Sequence, residues 1–404
     1  MNHLPSGNLG GQEHPEMGSQ ERKAIIEVPI KAILTEAGTA FFINNKKPVK
    51  KFKLADQGEE YGILLERFSP ASLQRMMLVD YIAKIEISAS EFVAIRQGVM
   101  DICKLITYSM LYRQYDTLVF QRILTSDVVK NWNRKNPANI IDEKTRINDT
   151  FLATVLKDKE KTVTAIKQSI LSPMHSFISK NSKLMPDEKN IQLLLSEKFL
   201  NNLRPFTWFI ITKFFGLDGY ESLVKDIRTG LMEYMEKSRI AEYIALNVIE
   251  LATNAENSNL KREAKTIFND EVDMNAVLFD MKIRKQVMES LQKKGELVSI
   301  SWKLGSRGTS IGTQGHLHVT IYNKESEYDR LNQSIKEAKN LDLKKTTLLD
   351  FYKNTPTGES STELGLYYLS YLSEACEKVN VKMESTVNQR PASDLTIISL
   401  VMNL

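Results

Sequence analysis

Glu250 and Asn254 stand four residues apart in the segment IAEYIALNVIELATNA, residues 240–255. On a helix that spacing places a carboxylate and an amide on one face. Ile240, Ile244, Val248 and Leu251 fill the neighbouring stripe at helical spacing. Two oxygen donors so placed can hold a hydrated Mg²⁺ against nucleotide phosphates. The same residues also describe an ordinary amphipathic helix with its polar face in water.

Other residues with chemical capacity read more simply. His175 lies in Ser172-Pro173-Met174-His175-Ser176, where Pro173 marks a helix start, and it reads as structural or exposed. His316 and His318 alternate by two and share one strand face, but no third ligand stands near them in the sequence. Ser306-Arg307-Gly308-Thr309 sits in a Gly-rich turn that can grip a phosphate or simply form a hairpin tip. Lys324 reads as a solvated lysine, and Trp132, Trp208 and Trp302 as packing residues.

The elements around these residues fall into four stretches. Residues 1–21 are rich in Gly, Pro, Glu, Gln and Ser and read as a disordered tail without a signal-peptide pattern. Residues 22–68 read as a small β-rich module with strands at Ala24–Ile30, Thr39–Ile43, Lys50–Leu54 and Tyr61–Glu66. Residues 69–235 form a mostly helical region, opened by Ser69 as N-cap and Pro70 at the first helical position. Its helices are expected over Ser88–Tyr115, Thr150–Ser182, Asp187–Leu203 and Tyr220–Lys237, with a loop at Asn131–Asp142. Residues 236–404 switch pattern: the Glu250/Asn254 helix, a helix over Asp273–Lys294, and strands Leu297–Leu304 and Leu317–Tyr322 about the Gly-rich turn. A polar helical stretch Glu325–Lys345, an apolar helix Thr362–Lys378 and strands Val381–Thr386 and Asp394–Met402 close the chain. The class is α+β, with helices on one face of a mixed or antiparallel sheet.

Composition narrows the function classes. A net charge of +4 spread over 404 residues does not suggest a nucleic-acid binder. No stretch reaches the ~20 apolar residues of a membrane span; Pro205–Leu217, broken by Lys213, reads as a buried helix. Cys103 and Cys376 are the only cysteines, which fits a reducing cytoplasm and disfavours a disulfide framework or zinc site.

The order helix with E-L-x-x-N-A, strand, strand ending in a polar residue, helical segment, L-G-L helix and two strands resembles the ATP-binding domain of the GHKL superfamily. That superfamily, with its Bergerat-type sandwich, includes histidine kinases, gyrase-type topoisomerases, Hsp90 and MutL. Within it, a helical region ahead of a C-terminal domain is most similar to a sensor histidine kinase. The resemblance covers residues 236–404 and implies ATP and Mg²⁺ as ligands. Asn254 matches the Mg²⁺-binding asparagine, and Glu250 the acidic residue that orients or deprotonates a water. Asn323 stands where an aspartate accepts from the adenine amino group. Gly365 and Leu366 match the end of the phosphate loop.

The chain also departs from that pattern. Asn323 replaces the aspartate, Glu325 and Glu327 replace two glycines, and Ser361-Thr362-Glu363-Leu364-Gly365-Leu366 keeps one glycine of three. Glycines there let the backbone approach the phosphates, and Glu363 would repel them. Two readings follow. One is a cytoplasmic signalling protein that binds Mg-ATP and phosphorylates or regulates a partner protein, with a homo-oligomer formed through the helical region. The other is a degenerate GHKL-fold scaffold or regulatory interaction module without catalysis.

Overall fold

Thr35 caps the first helix: its hydroxyl accepts from Gly38 N at 3.0 Å and donates to the Asp80 carbonyl at 2.6 Å. Residues Glu36–Asn44 therefore form helix α1, not the strand expected at Thr39–Ile43. The β-forming character of Phe41, Phe42 and Ile43 yields here to the cap and to Gly38, which packs directly on the Tyr81 backbone. Strand β1 (Ile30–Leu34) precedes it, and β2 (Lys50–Lys53) and β3 (Glu59–Leu65) follow. Helix α2 (Pro70–Leu78) begins where Ser69 and Pro70 direct, with the Ser69 hydroxyl accepting from Ser72 N.

The computed structural model describes residues 25–145, 147–182, 184–269, 273–305, 315–324, 360–390 and 395–404. The reading of Ser88–Tyr115 as one helix is corrected. A strand, β4 (Ile82–Ala89), comes first, and helix α3 runs over Arg96–Thr125. Six helices follow: α4 (Asp127–Lys135), α5 (Asp149–Asp158), α6 (Glu160–Lys180), α7 (Pro186–Asn202), α8 (Pro205–Lys213) and α9 (Tyr220–Ser238). The first residues of the expected Asn131–Asp142 loop belong to α4, and Pro173 lies inside α6 instead of starting a helix. Helix α10 (Ile240–Phe268) carries Glu250 and Asn254. Beyond it come α11 (Met274–Phe279), α12 (Met281–Lys294), strands β5 (Val298–Leu304) and β6 (His316–Lys324), helix α13 (Ser360–Lys378), and strands β7 (Lys382–Arg390) and β8 (Leu395–Asn403).

The fold is α+β. Eight strands form one antiparallel sheet in the order β2-β3-β1-β4-β5-β6-β8-β7. Its N-terminal half has a β-α-β-β-α-β run. Its C-terminal half joins through β4 and β5, where Ile85 faces Trp302 and Ile87 faces Ile300. The sheet thus crosses the sequence division between residues 22–68 and 236–404. Strand alternation sends Ile85, Ile87, Ile300, Trp302, Val319, Ile321, Ile398 and Leu400 to one face, all buried. Helices α3 and α10 pack into that core, Cys103 of α3 lying against Trp302.

The opposite face is polar. Ser88 and Ser299 hydroxyls lie 2.8 Å apart across β4 and β5. Lys84 reaches Glu60 at 2.6 Å and Asp56 at 3.2 Å, and the Glu86 carboxylate takes Lys31 at 2.9 Å and Ala55 N at 3.0 Å. The β2–β3 turn thereby folds over the sheet and pairs charges that would otherwise be buried alone.

Candidate functional site

Helix α10 is buried over more than its one apolar stripe. Ile240, Ile244, Val248 and Leu251 are buried, as the stripe predicts, but so are Ala241, Ala245, Ile249, Ala252 and Ala255 on the other sides. It lies among α3, α12, α13, β5 and β6. One side of α10 still reaches water: Tyr243 and Lys265 are exposed, and Glu242, Leu246, Glu250, Thr253 and Asn257 are half-buried. Asn247, Glu250 and Asn254 recur at intervals of three and four and form a polar stripe within the packed layers.

Asn254 is 9% exposed and Asn323, near the end of β6, is 2% exposed. Asn323 Nδ2 donates to the carbonyl of Ala255, the residue after Asn254, at 3.3 Å. The fold thus brings Asn323 against the backbone of the α10 turn that carries Asn254. An aspartate could not make that bond, because it has no N–H to donate. Directly across the ladder from Asn323 stands Thr396 of β8, which is also buried.

Glu250, the expected base, forms an ion pair with Arg96, the first residue of α3. Nothing in the sequence marked Arg96, since its partner lies 154 positions away. Asn247 could have been found from its spacing to Glu250 and Asn254. Thr396 could not, because strand register is invisible without the sheet.

Gly365 and Leu366 lie inside α13, as do Ser361 and Glu363. The backbone there is helical, so the expected phosphate loop is replaced by the first turns of a helix that packs along α10. A helix beginning at Ser360 still directs its first backbone N–H groups outward at that end. Glu325, Glu327 and the Ser306–Thr309 turn lie outside the described residues.

A dense ionic seam lies farther along α10. Glu256 takes Phe92 N at 2.5 Å and the Arg284 guanidinium, which also reaches Glu91 at 3.4 Å. Burial pushes the Glu256 carboxyl above its ordinary value, against the opposing pull of the Phe92 amide and Arg284. Glu263 holds Ser290 Oγ at 2.5 Å and Lys294 Nζ at 2.7 Å, and Arg262 pairs with Glu296 at 2.7 Å. These pairs fasten α10 to α12 and the segment ahead of α3.

The three described histidines make ordinary polar contacts. His175 lies 3.2 Å from Ser196 Oγ, between α6 and α7. His316 Nδ1 meets Asn403 Oδ1 at 2.6 Å, and His318 Nε2 meets Thr320 Oγ1 at 3.2 Å. Burial, aided by Lys303, lowers the pKa of His318. Among the described residues no cluster of His, Cys, Asp or Glu could by itself hold a metal ion. A cleft of about 550 Å³ between α1, β2 and β3 is lined by Phe42, Lys47, Lys50, Ile63, Leu65 and Arg67, and includes none of the expected site residues.

The sequence profile of a family of unknown function, DUF8084, matches residues 21–404. An uncharacterized protein of Treponema pallidum (strain Nichols) is 42% identical over 385 residues, which is 95% of this chain and 99% of the relative. No solved structure matches the chain. No helix among the described residues is long and apolar enough to cross a membrane.

Proposed function

We propose that this chain, which belongs to the DUF8084 family, binds Mg-ATP beside Asn254 and Asn323 and uses the nucleotide to regulate a partner protein. The observation that carries this reading is the Asn323–Ala255 contact, in which a buried amide side chain donates to the backbone carbonyl of the residue after Asn254, 68 positions away. Asn254 supplies an amide oxygen for Mg²⁺, a hard donor that suits the ion. Asn323, steered by the Ala255 carbonyl, supplies an amide oxygen for the adenine amino group. Mg²⁺, when bound, neutralises phosphate charge.

The geometry favours binding and regulation over phosphoryl transfer. Transfer depends on positioning and charge neutralisation in an intact phosphate cradle. Here Glu250 is engaged by Arg96, and residues 361–366 are helical. Those two observations also favour the second reading, a non-catalytic scaffold of the same fold. In either case we place the protein in the cytoplasm, where Cys103 and Cys376 stay reduced, and assign its contact with other copies to the helical region.

A thermal-shift titration with ATP and Mg²⁺, on wild type and Asn254→Ala, separates the readings. A Mg²⁺-dependent rise in melting temperature that the variant lacks supports nucleotide binding, since a ligand that binds only the folded state stabilises it. No rise at millimolar ATP leaves the scaffold. Incubation with γ-labelled ATP then tests transfer, with label on His175 as the sign of a histidine kinase.

A further inference from the structure

We propose that the cleft between α1, β2 and β3 is a docking groove for a short, extended, acidic segment of a partner protein, which adds a strand to the open part of the β3 edge. The inference is independent of the nucleotide reading, which uses none of these residues.

The pairing of the sheet leaves the place open. Strand β3 pairs with β1 from Gly62 to Leu65, but with β2 only from Glu59 to Gly62. Ile63, Leu64 and Leu65 therefore have a neighbouring strand on one side alone. On the other side β2 begins only at Lys50, and Pro48 ahead of it has no N–H to offer. In an antiparallel strand alternate residues direct both N–H and C=O to the same side. This stretch thus turns unpaired backbone groups towards the cleft of about 550 Å³, which residues 63 to 67 line. The adjoining edge is closed to other strands: β2 reads Lys50-Lys51-Phe52-Lys53, and exposed lysines on an edge discourage pairing. The open stretch has no lysine, and its Leu64 is exposed.

The lining selects the occupant. The floor is apolar: Ile63 is buried, and Phe42 and Leu65 are half-buried against the core. The rim is basic, with Lys47, Lys50 and Arg67 set against one carboxylate, Glu66. Arg67 already pairs with Glu27, whereas no described residue takes the side chain of Lys47 or Lys50. Exposed Lys46 and Lys53 add to the positive field. Backbone groups of an open edge give such a contact its affinity, and alternate side chains give it specificity. A segment alternating acidic and apolar residues sends its apolar side chains to the floor and leaves its carboxylates beside the lysines.

Fluorescence polarisation of the full chain with a labelled Glu-Val-Glu-Val-Glu peptide, capped at both ends, tests this. The acidic peptide should bind, and its Lys-Val-Lys-Val-Lys counterpart should not. The double variant Lys47→Glu, Lys50→Glu changes two exposed side chains without partners, so it should stay folded by circular dichroism. It should weaken binding about tenfold, the range for two surface charge pairs reversed. Methylation of the peptide amides supplies a readout that charge attraction alone would not move. Methylating one alternate set should abolish binding, and methylating the other set should spare it. Indifference to both sets, equal binding of acidic and basic peptides, an unchanged affinity in the double variant, or no binding at millimolar peptide each overturns the proposal. Co-sedimentation with phosphatidylglycerol vesicles, without peptide binding, also overturns it and assigns the basic rim to a membrane surface.

Discussion

Glu256 of α10 and Arg284 of α12 form an ion pair in which the carboxylate is 1% exposed. The same carboxylate accepts the Phe92 amide, so one side chain ties α10 to α12 and to the turn that leads from β4 into α3. The polar stripe of Asn247, Glu250 and Asn254 depends on α10 being held in that position.

Removing the carboxylate should therefore be costly. Glu256→Ala leaves the buried Phe92 amide without its acceptor and the half-buried Arg284 guanidinium with only Glu91 and the Leu278 carbonyl, a loss of about 1–3 kcal/mol. Urea denaturation of the variant beside wild type measures it. A change below about 0.5 kcal/mol, typical of a surface substitution, would show that water reaches this seam.

The same residue predicts a pH dependence with a definite sign. Its folded pKa is raised above the ordinary value of 4.5, chiefly by burial. Between 4.5 and the higher folded value the unfolded chain has already released a proton that the folded chain keeps, so stability falls as pH rises through that window. Below it the contribution is full and above it the curve is level. Wild-type stability minus that of Glu256→Gln should follow this course, since glutamine does not titrate. A difference that rises with pH would contradict the assignment.

Asn323→Asp should not repair the adenine contact. The substitution restores the carboxylate of the resembled family but removes the N–H that Ala255 accepts, and it sets a negative charge against a carbonyl in a site 2% exposed. A loss of about 1–3 kcal/mol is expected at neutral pH. Burial raises the new carboxyl's pKa, so stability should return as acid neutralises it. Equal stability of variant and wild type at pH 7 would argue that the Asn323 amide bond is unimportant.

Both thiols should be silent in the native protein. Cys103 and Cys376 are fully buried, and burial pushes each thiol up to about 12. Because the thiolate is the reactive form, a thiol-specific reagent at pH 8 should modify neither in the folded chain and both in urea. Rapid native labelling would mean that the α3 or α13 packing opens readily.

Gly38→Ala should destabilise α1. A methyl group there would lie 2.2 Å from the Tyr81 carbonyl oxygen, which is backbone and cannot rotate away. Overpacking of this kind costs about 1–3 kcal/mol, enough to outweigh the gain in helix propensity of about 1 kcal/mol from Gly to Ala. Thermal denaturation gives the sign directly; a stabilised variant would mean that α1 can shift away from the turn before β4.

What could be read without the structure was what local pattern controls. Ser69-Pro70 starts α2, strands β2, β3 and β5 to β8 lie close to their alternating runs, and α7, α9, α10 and α13 lie close to their periodic ones. Thr39–Ile43 was misleading because its β-forming residues sit behind a Thr35 cap whose partners include Asp80. Strand β4 was hidden because its alternation runs into the apolar start of α3.

By itself, the sequence determined the α+β class, the absence of a membrane-length apolar segment, and the helical spacing of Glu250 and Asn254. Only the tertiary structure decided that β4 pairs with β5 across more than 200 positions, that α10 buries far more than its apolar stripe, that Asn323 meets Ala255, and that Arg96 holds Glu250. The reason is physical. Periodicity and capping act over a few residues and leave their mark in sequence, whereas an ion pair or a strand register between distant segments exists only once the chain has brought them together.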